Sequence, residues 1–344
     1  MNSNGKTLRG AWQRSAVLSA TLFAAAAAQS VRAQASPPAS TVIVDEVGRK
    51  VRVAQDVQRV VSLAPSLTET VFALGEEKKL VGDTVYCDYP EAAKQVTKVG
   101  DVLNPSLEQI VALKPDLVLV TRALNRLETV HALDQLNVPT YATDPRTVDD
   151  VLASTEKLAQ ILGNPEKGRA LSAELAARLR ELQKRLANSP PRRLLFVVWM
   201  DPLISIGQNT FIADALRRAG GVSLVESAQD WPQLSLEEAV RLQPDFLVFA
   251  TGHADDAARQ AEELAGRPGW RALEAVRNHR IAVISDAIDR PAPRIVSAIE
   301  ELARQIHPEA FAEKDPPAKS FSLAPGSSEF RAAAAQREGC ACDR

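Results

Sequence analysis

A fifteen-residue segment that occurs twice restricts the fold of this chain more than any other feature of its sequence. "SLEQIVALKPDLVLV" starts at Ser106 and "SLEEAVRLQPDFLVF" starts at Ser235, with seven identical positions. In each copy, a Ser suited to capping a helix precedes an amphipathic stretch, and an unbroken apolar run follows. Such a run is typical of a strand that a parallel sheet buries on both faces. We therefore expect the same helix and strand in two separate units.

The segments around the two copies also follow one order. "RVVSLAPSLTETVFALG" predicts a strand, a turn at Pro65 and a helix that ends at Gly75. "LISIGQNTFIADALRRAGG" predicts the same elements in the second half. After each repeated segment, a further helix leads to a short strand that ends in an acid, Asp144 or Asp286. Strand and helix alternate in both halves, which indicates two α/β lobes.

A long amphipathic segment separates the two halves. Its leucines recur at helical spacing, at Leu171, Leu175, Leu179, Leu182 and Leu186. A helix of this length spans about 30 Å, enough to cross a small lobe. We expect two Rossmann-like α/β lobes bridged by a single long rigid helix, with a ligand cleft between the lobes. The expected boundaries are 36–148 for the N-terminal lobe, 149–189 for the connecting helices and 190–311 for the C-terminal lobe.

The first 35 residues are typical of a cleaved export signal. Basic residues precede the apolar run "SAVLSATLFAAAAA", and "AQA" at 33–35 offers small residues for cleavage. The alternative is a membrane anchor, but the run is shorter than the roughly 20 residues that cross a bilayer. No Cys lies near the cleavage site to carry a lipid anchor. These features predict a soluble periplasmic protein, and the Ala-rich tail 312–344 is expected to be disordered.

Charge and cysteine content exclude several classes of function. The chain has 41 Lys and Arg against 43 Asp and Glu, a net charge of −2, so we expect no binding to nucleic acid. Cys87 stands alone in the folded part, while Cys340 and Cys342 lie in the tail. In an oxidising compartment an odd number leaves at least one thiol without an internal partner. A Cys-x-Cys pair without neighbouring His is a weak metal site, so no protein metal centre is expected.

A Glu stands second in each copy of the repeat, at Glu108 and Glu237. Each lies in the first turn of its predicted helix, where the helix dipole favours a negative charge. One interpretation is therefore local stabilisation. The other is a matched pair of carboxylates, one on each lobe, which docks on one partner that carries matched Arg residues.

Five motifs in order give the chain a family resemblance. "RVVSLAPSLTETVFALG", "YCDYP", "SLEQIVALKPDLVLV", "DWPQLSLEEAV" and "PAPRI" resemble the periplasmic substrate-binding proteins of ABC importers for cobalamin, ferric siderophores or haem. The resemblance runs from about Thr41 to His307, and the similarity is greatest to the cobalamin-binding branch. It implies a monomer that is not an enzyme and has no catalytic cofactor. Such a protein would bind cobalamin or another metal-containing cofactor and deliver it to an ABC permease dimer with its ATPase subunits.

The resemblance also implies roles for particular residues. Glu108 and Glu237 match the acids that dock with Arg pockets on the two permease subunits. The implied ligand contacts are Pro65, Ser66, Tyr86, Asp88, Tyr89, Trp231, Asp286 and Arg290, and two further cations that favour an anionic chelate are Arg122 and Arg294. Aromatic rings offer stacking area, while Asp and Arg fix amide or carboxylate edges.

The chain departs from the cobalamin-binding pattern at three positions. Val102 and Thr121 stand where cobalamin binders place Trp, and Ala287 replaces an aromatic residue. Structural roles are the alternative for several of these residues: Tyr89 would pin a loop, Trp231 would anchor a core, and Asp286 with Arg290 would form a solvent-exposed ion pair.

The sequence offers little support for catalysis. It contains no P-loop, no G-x-S-x-G and no H-E-x-x-H, and its four His residues are scattered. A hydrolase with distant partners for a Ser, or an envelope protein without a ligand, are the remaining alternatives.

Overall fold

The computed structural model describes residues 39–250 and 262–312. The expected signal peptide and the tail from residue 313 onward, with Cys340 and Cys342, lie outside these ranges. The described chain begins with an antiparallel hairpin of β1 (Ser40–Val44) and β2 (Lys50–Ala54). Gly48 turns between them with a φ of +85°, a conformation that favours glycine.

The first lobe contains a parallel sheet of four strands. The spatial order is β4-β3-β5-β6, so the chain starts beside one edge and ends at the other. The strands are β3 (Val60–Ser62), β4 (Leu80–Gly82), β5 (Leu117–Thr121) and β6 (Thr140–Thr143). The helices between them are α1 (Pro65–Ala73), α2 (Leu107–Ala112) and α3 (Leu127–Gln135).

Two antiparallel helices follow, α4 (Val148–Ile161) and α5 (Pro165–Leu186). The first residues of α4 pack into the core of the second lobe, and its last residues pack into the core of the first. The chain then reverses at Gly163, and α5 returns to the second lobe through its apolar stripe. The predicted long helix is therefore present with 22 residues, and α4 spans the same two cores beside it.

The second lobe repeats the sheet of the first. Its order is β10-β7-β11-β12, which is the first order with each strand replaced by its counterpart. The strands of the sheet are β7 (Arg192–Val197), β10 (Gly221–Ser223), β11 (Phe246–Ala250) and β12 (Ile281–Ile284). A small hairpin of β8 (Trp199–Met200) and β9 (Leu203–Ile204) follows β7. The helices of this lobe include α6 (Phe211–Arg218), α7 (Leu236–Leu242), α8 (Glu274–Arg277) and α9 (Ile295–Ile306).

The repeated segment forms the predicted helix and strand in both lobes. The hydroxyl of Ser106 accepts a hydrogen bond from the Gln109 amide at 3.3 Å, and that of Ser235 accepts one from the Glu238 amide at 3.1 Å. These bonds satisfy amide groups that the first turn of a helix leaves without partners. The expectation of one helix and one strand in each lobe is therefore confirmed.

Both sheets are covered on both faces, which explains their unbroken apolar strands. In the first lobe, Leu117 and Leu119 belong to one buried cluster, while Val118 and Val120 belong to another. In the second lobe, Val248 and Leu247 divide in the same way. Neighbouring side chains of a strand point to opposite faces, so each lobe has two apolar layers. No helix in the described ranges is long and apolar enough to cross a membrane.

Candidate functional site

The carboxyl ends of both sheets lead into segments that meet between the lobes. In open parallel sheets, ligands bind beyond these ends, because the loops and helix starts converge there. Two groups of charged side chains join the lobes at this level. We call them the Glu69 cluster (Glu69, Asp88, Asp286, Arg290 and Arg294) and the Arg146 cluster (Arg122, Asp144, Arg146 and Asp230).

The Glu69 cluster joins α1 of the first lobe to the segment after β12. Arg294 donates from Nε to Glu69 Oε2 at 3.0 Å and from Nη2 to Oε1 at 2.9 Å, which is a bidentate pair. Arg290 Nη1 donates to the same Oε1 at 2.7 Å. The Glu69 side chain is only 2% exposed, so one buried carboxylate holds two guanidinium groups of the other lobe.

Two further carboxylates complete this cluster. Asp88 Oδ1 accepts from Arg290 Nη1 at 3.0 Å, and Asp286 contacts both arginines, Arg290 at 2.9 Å and Arg294 at 3.1 Å. Partial burial opposes the charge of Asp88, but the hydrogen bond and charge of Arg290 outweigh it and lower the pKa of Asp88. Three of the predicted ligand contacts, Asp88, Asp286 and Arg290, therefore lie together, and Arg294 lies among them.

Tyr89 also belongs to this region. The guanidinium carbon of Arg294 lies 4.0 Å from the centroid of the Tyr89 ring, a distance typical of a cation–π contact. The ring is 47% exposed on its remaining surface. Tyr89 therefore contacts Arg294 through its ring and keeps part of that ring accessible.

Lys98 fixes the loop that carries Tyr86, Asp88 and Tyr89. Its Nζ donates to Asp83 Oδ1 at 2.8 Å, to the Cys87 carbonyl at 3.1 Å and to the Ala93 carbonyl at 2.9 Å. Burial raises the pKa of Asp83 to about 6, because the attraction of Lys98 offsets only part of the cost of desolvation. The Cys87 thiol is buried beside this network, within 3.2 Å of the Thr68 and Thr84 hydroxyls.

The Arg146 cluster lies at the other end of the cleft. Arg146 Nη1 donates to both carboxylate oxygens of Asp230, at 3.0 and 2.9 Å, and so joins the end of β6 to the loop after β10. Asp144 forms two salt bridges, through Oδ2 with Nη1 of Arg122 at 2.8 Å and through Oδ1 with Nε of Arg146 at 3.1 Å. A cavity of about 830 Å³ opens beside these residues, between Arg122 and Arg146 of the first lobe and the segments 208–214 and 221–230 of the second.

The two clusters occupy opposite edges of the sheets. Asp88 follows β4 and Asp286 follows β12, whereas Arg146 follows β6 and Asp230 follows β10, and all four are edge strands. In the Glu69 cluster, acids of the first lobe pair with arginines of the second. In the Arg146 cluster, an arginine of the first lobe pairs with an aspartate of the second. The space between the clusters is the candidate ligand site.

Exposed aromatic rings lie in the same part of the molecule. Tyr86 is 56% exposed on the loop after β4, and Trp231 is 46% exposed on the loop after β10. Trp199, which the sequence analysis missed, begins β8, which one residue separates from the end of β7, and is 62% exposed. Trp199 pairs with Ile204 of β9, and Ile204 pairs in turn with Gln233. We call these three paired segments the ribbon. Trp199 and Trp231 therefore belong to the two outer segments, on either side of β9.

The predicted Pro65–Ser66 turn contributes less surface than the other positions. Pro65 is the first residue of α1 and is half-buried, and Ser66 is buried. The start of α1 follows β3 at the same level as the clusters. The side chains of this turn therefore offer little accessible surface to a ligand, and its place among the ligand contacts stays a prediction.

Glu108 and Glu237 are exposed in the first turns of α2 and α7. Each of these helices leads into a central strand of its sheet, β5 or β11, which runs in the opposite direction to the helix. The helix starts therefore lie at the end of the sheets where the strands finish, on the side of the molecule that holds the cleft. The structure places the two acids on equivalent surfaces of the two lobes.

Sequence reasoning did not assign five residues of the site: Glu69, Asp144, Arg146, Trp199 and Asp230. Glu69 gave no signal, because it lies between two threonines in the middle of a predicted helix. Trp199 had a signal, since it follows β7 just as the Pro65–Ser66 turn follows the equivalent β3. Within the described ranges, no group of three or more His, Cys, Asp or Glu side chains is arranged to hold a metal ion.

Comparisons with known proteins agree with the motifs. A family model for "Periplasmic binding protein" matches residues 60–287. A vitamin B12-binding protein of Vibrio cholerae serotype O1 is 31% identical over 251 residues, which cover 71% of this chain and 87% of that protein. A vitamin B12-binding protein of Yersinia pestis is 31% identical over 254 residues, with coverage of 74% and 88%.

Solved structures of the family have the same fold. The periplasmic vitamin B12 binding protein BtuF of Vibrio cholerae has a TM-score of 0.65 at 28% identity, covering 75% of this chain and 99% of that one. A periplasmic haem binding protein from Pseudomonas aeruginosa has a TM-score of 0.66 at 27% identity, with coverage of 73% and 93%. These matches confirm the predicted two-lobed α/β fold and the resemblance drawn from the motifs. The chain therefore belongs to the periplasmic binding protein family.

Proposed function

We propose that the protein is the periplasmic substrate-binding component of an ABC importer and that it captures cobalamin or a related corrinoid. The similarity to vitamin B12-binding proteins over most of the chain supports this assignment. The ligand would lie between the Glu69 and Arg146 clusters, in contact with the rings of Tyr86, Trp199 and Trp231. The protein does no chemistry on the ligand and acts as a monomer.

The observation that carries the choice of ligand is the charge balance of the cleft. Arg294 and Arg122, which would favour an anionic chelate if they were free, are paired with Glu69 and Asp144. Haem carries two propionates, and many ferric siderophores are anionic, so each would need unpaired cations. Cyanocobalamin is neutral and presents a ring of amides, which paired Asp and Arg side chains can bind without a change of charge. A haem or siderophore ligand is the alternative, in keeping with the haem-binding relatives.

Ligand titration tests this proposal directly. Purified mature protein is titrated with cyanocobalamin, haem and a ferric chelate, with tryptophan fluorescence and calorimetry as readouts. We expect the tightest binding for cyanocobalamin. At a ligand concentration one hundred times the Kd, the free energy of unfolding should rise by about 2.7 kcal/mol. Tighter binding of haem or the ferric chelate would contradict the corrinoid assignment, and no binding of any of them would favour an envelope protein without a ligand.

We also infer that Glu108 and Glu237 dock the protein on the two permease subunits. Their support is their exposure, their equivalent places on the two lobes and their position on the side of the cleft opening. A carboxylate on each lobe, met by an Arg pocket on each subunit, would fix the orientation in which the cleft faces the permease.

The docking test compares paired charge reversals. Glu108→Lys with Glu237→Lys should abolish uptake while the Kd for cyanocobalamin stays unchanged. Gln109→Lys with Glu238→Lys is the control, because it places the same cations in the same helix turns, where the helix dipole disfavours them. Equal uptake by the two double variants, or a weakened Kd in the first, would refute the docking role.

The proposed location requires export and cleavage of residues 1–35. The mature protein should begin at Ser36, and N-terminal sequencing of the periplasmic fraction checks this. Retention of the unprocessed chain in the membrane fraction would favour the membrane anchor instead.

A further inference from the structure

We propose that Glu69 is a specificity-determining residue, which makes the cleft select neutral corrinoids against corrinoids and other ligands that carry carboxylates. The proposal rests on the proposed function and specifies the charge of the ligand that the same site accepts. It assigns a role to a residue that does not need to touch the ligand, because its effect is electrostatic.

The charges of the Glu69 cluster do not cancel. Two guanidinium groups, of Arg290 and Arg294, face three carboxylates, of Glu69, Asp88 and Asp286. The cluster therefore carries a net charge of −1. The Arg146 cluster has two arginines and two aspartates and is neutral. Among the described residues of these clusters, each guanidinium group is paired, so none is left free for an anionic group of a ligand.

Glu69 is the carboxylate whose charge counts most in the cluster. Its side chain is 2% exposed, whereas those of Asp88 and Asp286 are 56% and 41% exposed. Water and salt screen the charges of exposed groups far more than those of buried groups. The buried carboxylate therefore sets the potential that a ligand meets at this end of the cleft.

Glu69 also determines which donors the arginines have left for a ligand. It takes Nε and Nη2 of Arg294 and shares Nη1 of Arg290, and Tyr89 covers one face of the Arg294 guanidinium. An incoming carboxylate would have to replace a buried, bidentate partner, at a high cost in desolvation. An incoming amide carbonyl needs only one donor and brings no charge.

Replacement of Glu69 by Gln is therefore expected to change selectivity more than affinity. The change leaves Asp88 and Asp286 to compensate Arg290 and Arg294, so the cluster becomes neutral. The shape of the cleft is kept, because Gln is nearly isosteric with Glu and its carbonyl can still accept one of the hydrogen bonds.

The test uses two corrinoids that differ by a single charge. Cyanocobalamin is compared with its monocarboxylate, in which one peripheral propionamide is hydrolysed to a propionate. The wild-type protein should bind the neutral form at least tenfold more tightly, which is about 1.4 kcal/mol. Glu69→Gln should reduce this ratio to about threefold or less, and Glu69→Gln with Asp88→Asn should reduce it further. The ratio in the wild type should also fall as salt concentration rises.

Glu309→Gln is the control. Glu309 also accepts a hydrogen bond from an Arg, from Nη2 of Arg192 at 3.0 Å, but this pair lies at the start of β7, at the opposite end of the sheet from the cleft. It should leave the selectivity ratio unchanged. The inference is overturned if Glu69→Gln weakens both corrinoids equally, which would indicate a structural role, or if the wild type binds both equally. Failure of the wild type to bind cyanocobalamin at all would instead refute the proposed function, and this inference with it.

Discussion

Arg146 and Asp230 join the two lobes through a single nitrogen that lies 3.0 and 2.9 Å from the two carboxylate oxygens. Arg146 follows the last strand of the first sheet, and Asp230 lies in the loop that also carries Trp231. The contact therefore ties the candidate ligand site to the arrangement of the lobes. Both side chains are more than a third exposed, so solvent screens the pair.

Arg146→Gln should loosen the loop 224–232 with little loss of stability. We expect faster amide hydrogen exchange in that loop and a decrease in the free energy of unfolding of less than about 1 kcal/mol, because exposed ion pairs contribute little. Arg122→Gln is the control, since Arg122 contacts Asp144 within its own lobe. Identical exchange in the two variants would show that the interlobe pair does not restrain the loop.

Gly207→Ala should displace the loop 224–232, because Gly207 packs against the backbone of that loop. A Cβ at this position would overlap the Gln229 carbonyl oxygen and lie 2.8 Å from that of Ser227. These are backbone atoms of one packed segment and cannot rotate away, so we expect a loss of about 2 kcal/mol in the free energy of unfolding. Denaturant titration measures this loss. Gly266→Ala, where nothing lies within 4 Å, should have no comparable effect.

Trp199→Ala should weaken corrinoid binding about fivefold, which corresponds to about 1 kcal/mol of aromatic contact. Trp231→Ala should have a similar effect, because the two rings flank the same ribbon. Calorimetry gives the Kd of each variant. Leu136→Ala, a half-exposed apolar residue just after α3, is the control. An unchanged Kd in both Trp variants would move the ligand away from this ribbon.

Asp83 should make stability depend on pH between about 4 and 6. Its pKa rises from 3.8 to about 6 on folding, so the folded protein binds the proton more tightly than the unfolded chain. This contribution is present at pH 4 and is lost as pH rises through 6. Relative to Asp83→Asn, the wild type should therefore lose about 2 to 3 kcal/mol of unfolding free energy over this range. Parallel curves for the two proteins, from urea titrations at several pH values, would contradict this assignment.

The regular elements were accessible from the sequence because their signals are local. The capping Ser and the apolar run predicted α2 with β5 and α7 with β11, and the leucine stripe predicted α5. The role of α4 was less accessible, since its two ends pack into different lobes. Nothing in a helical pattern tells which core each end will meet.

The charge clusters depend on contacts that no local pattern encodes. Glu69 lies 221 residues from Arg290 and 225 from Arg294, and its neighbours indicate only a helix. Asp88, Tyr89, Asp286 and Arg290 were found through the family motifs. Glu69, which pairs with Arg290 and Arg294, and Arg146, which pairs with Asp230, were not, because a partner in the other lobe is identified only when the two lobes are placed together.

The two clusters have opposite arrangements of charge, and this favours one orientation of the lobes relative to each other. A half-turn of one lobe about the axis of the cleft would place Glu69 and Asp88 against Asp230, and Arg146 against Arg290 and Arg294. Like charges would then meet at both ends, so only one orientation is favourable. The two clusters also contact the lobes at two separate places. A single contact would let one lobe rotate about it, whereas two contacts oppose that rotation. The aperture of the cleft is thereby held against torsion as well as against separation.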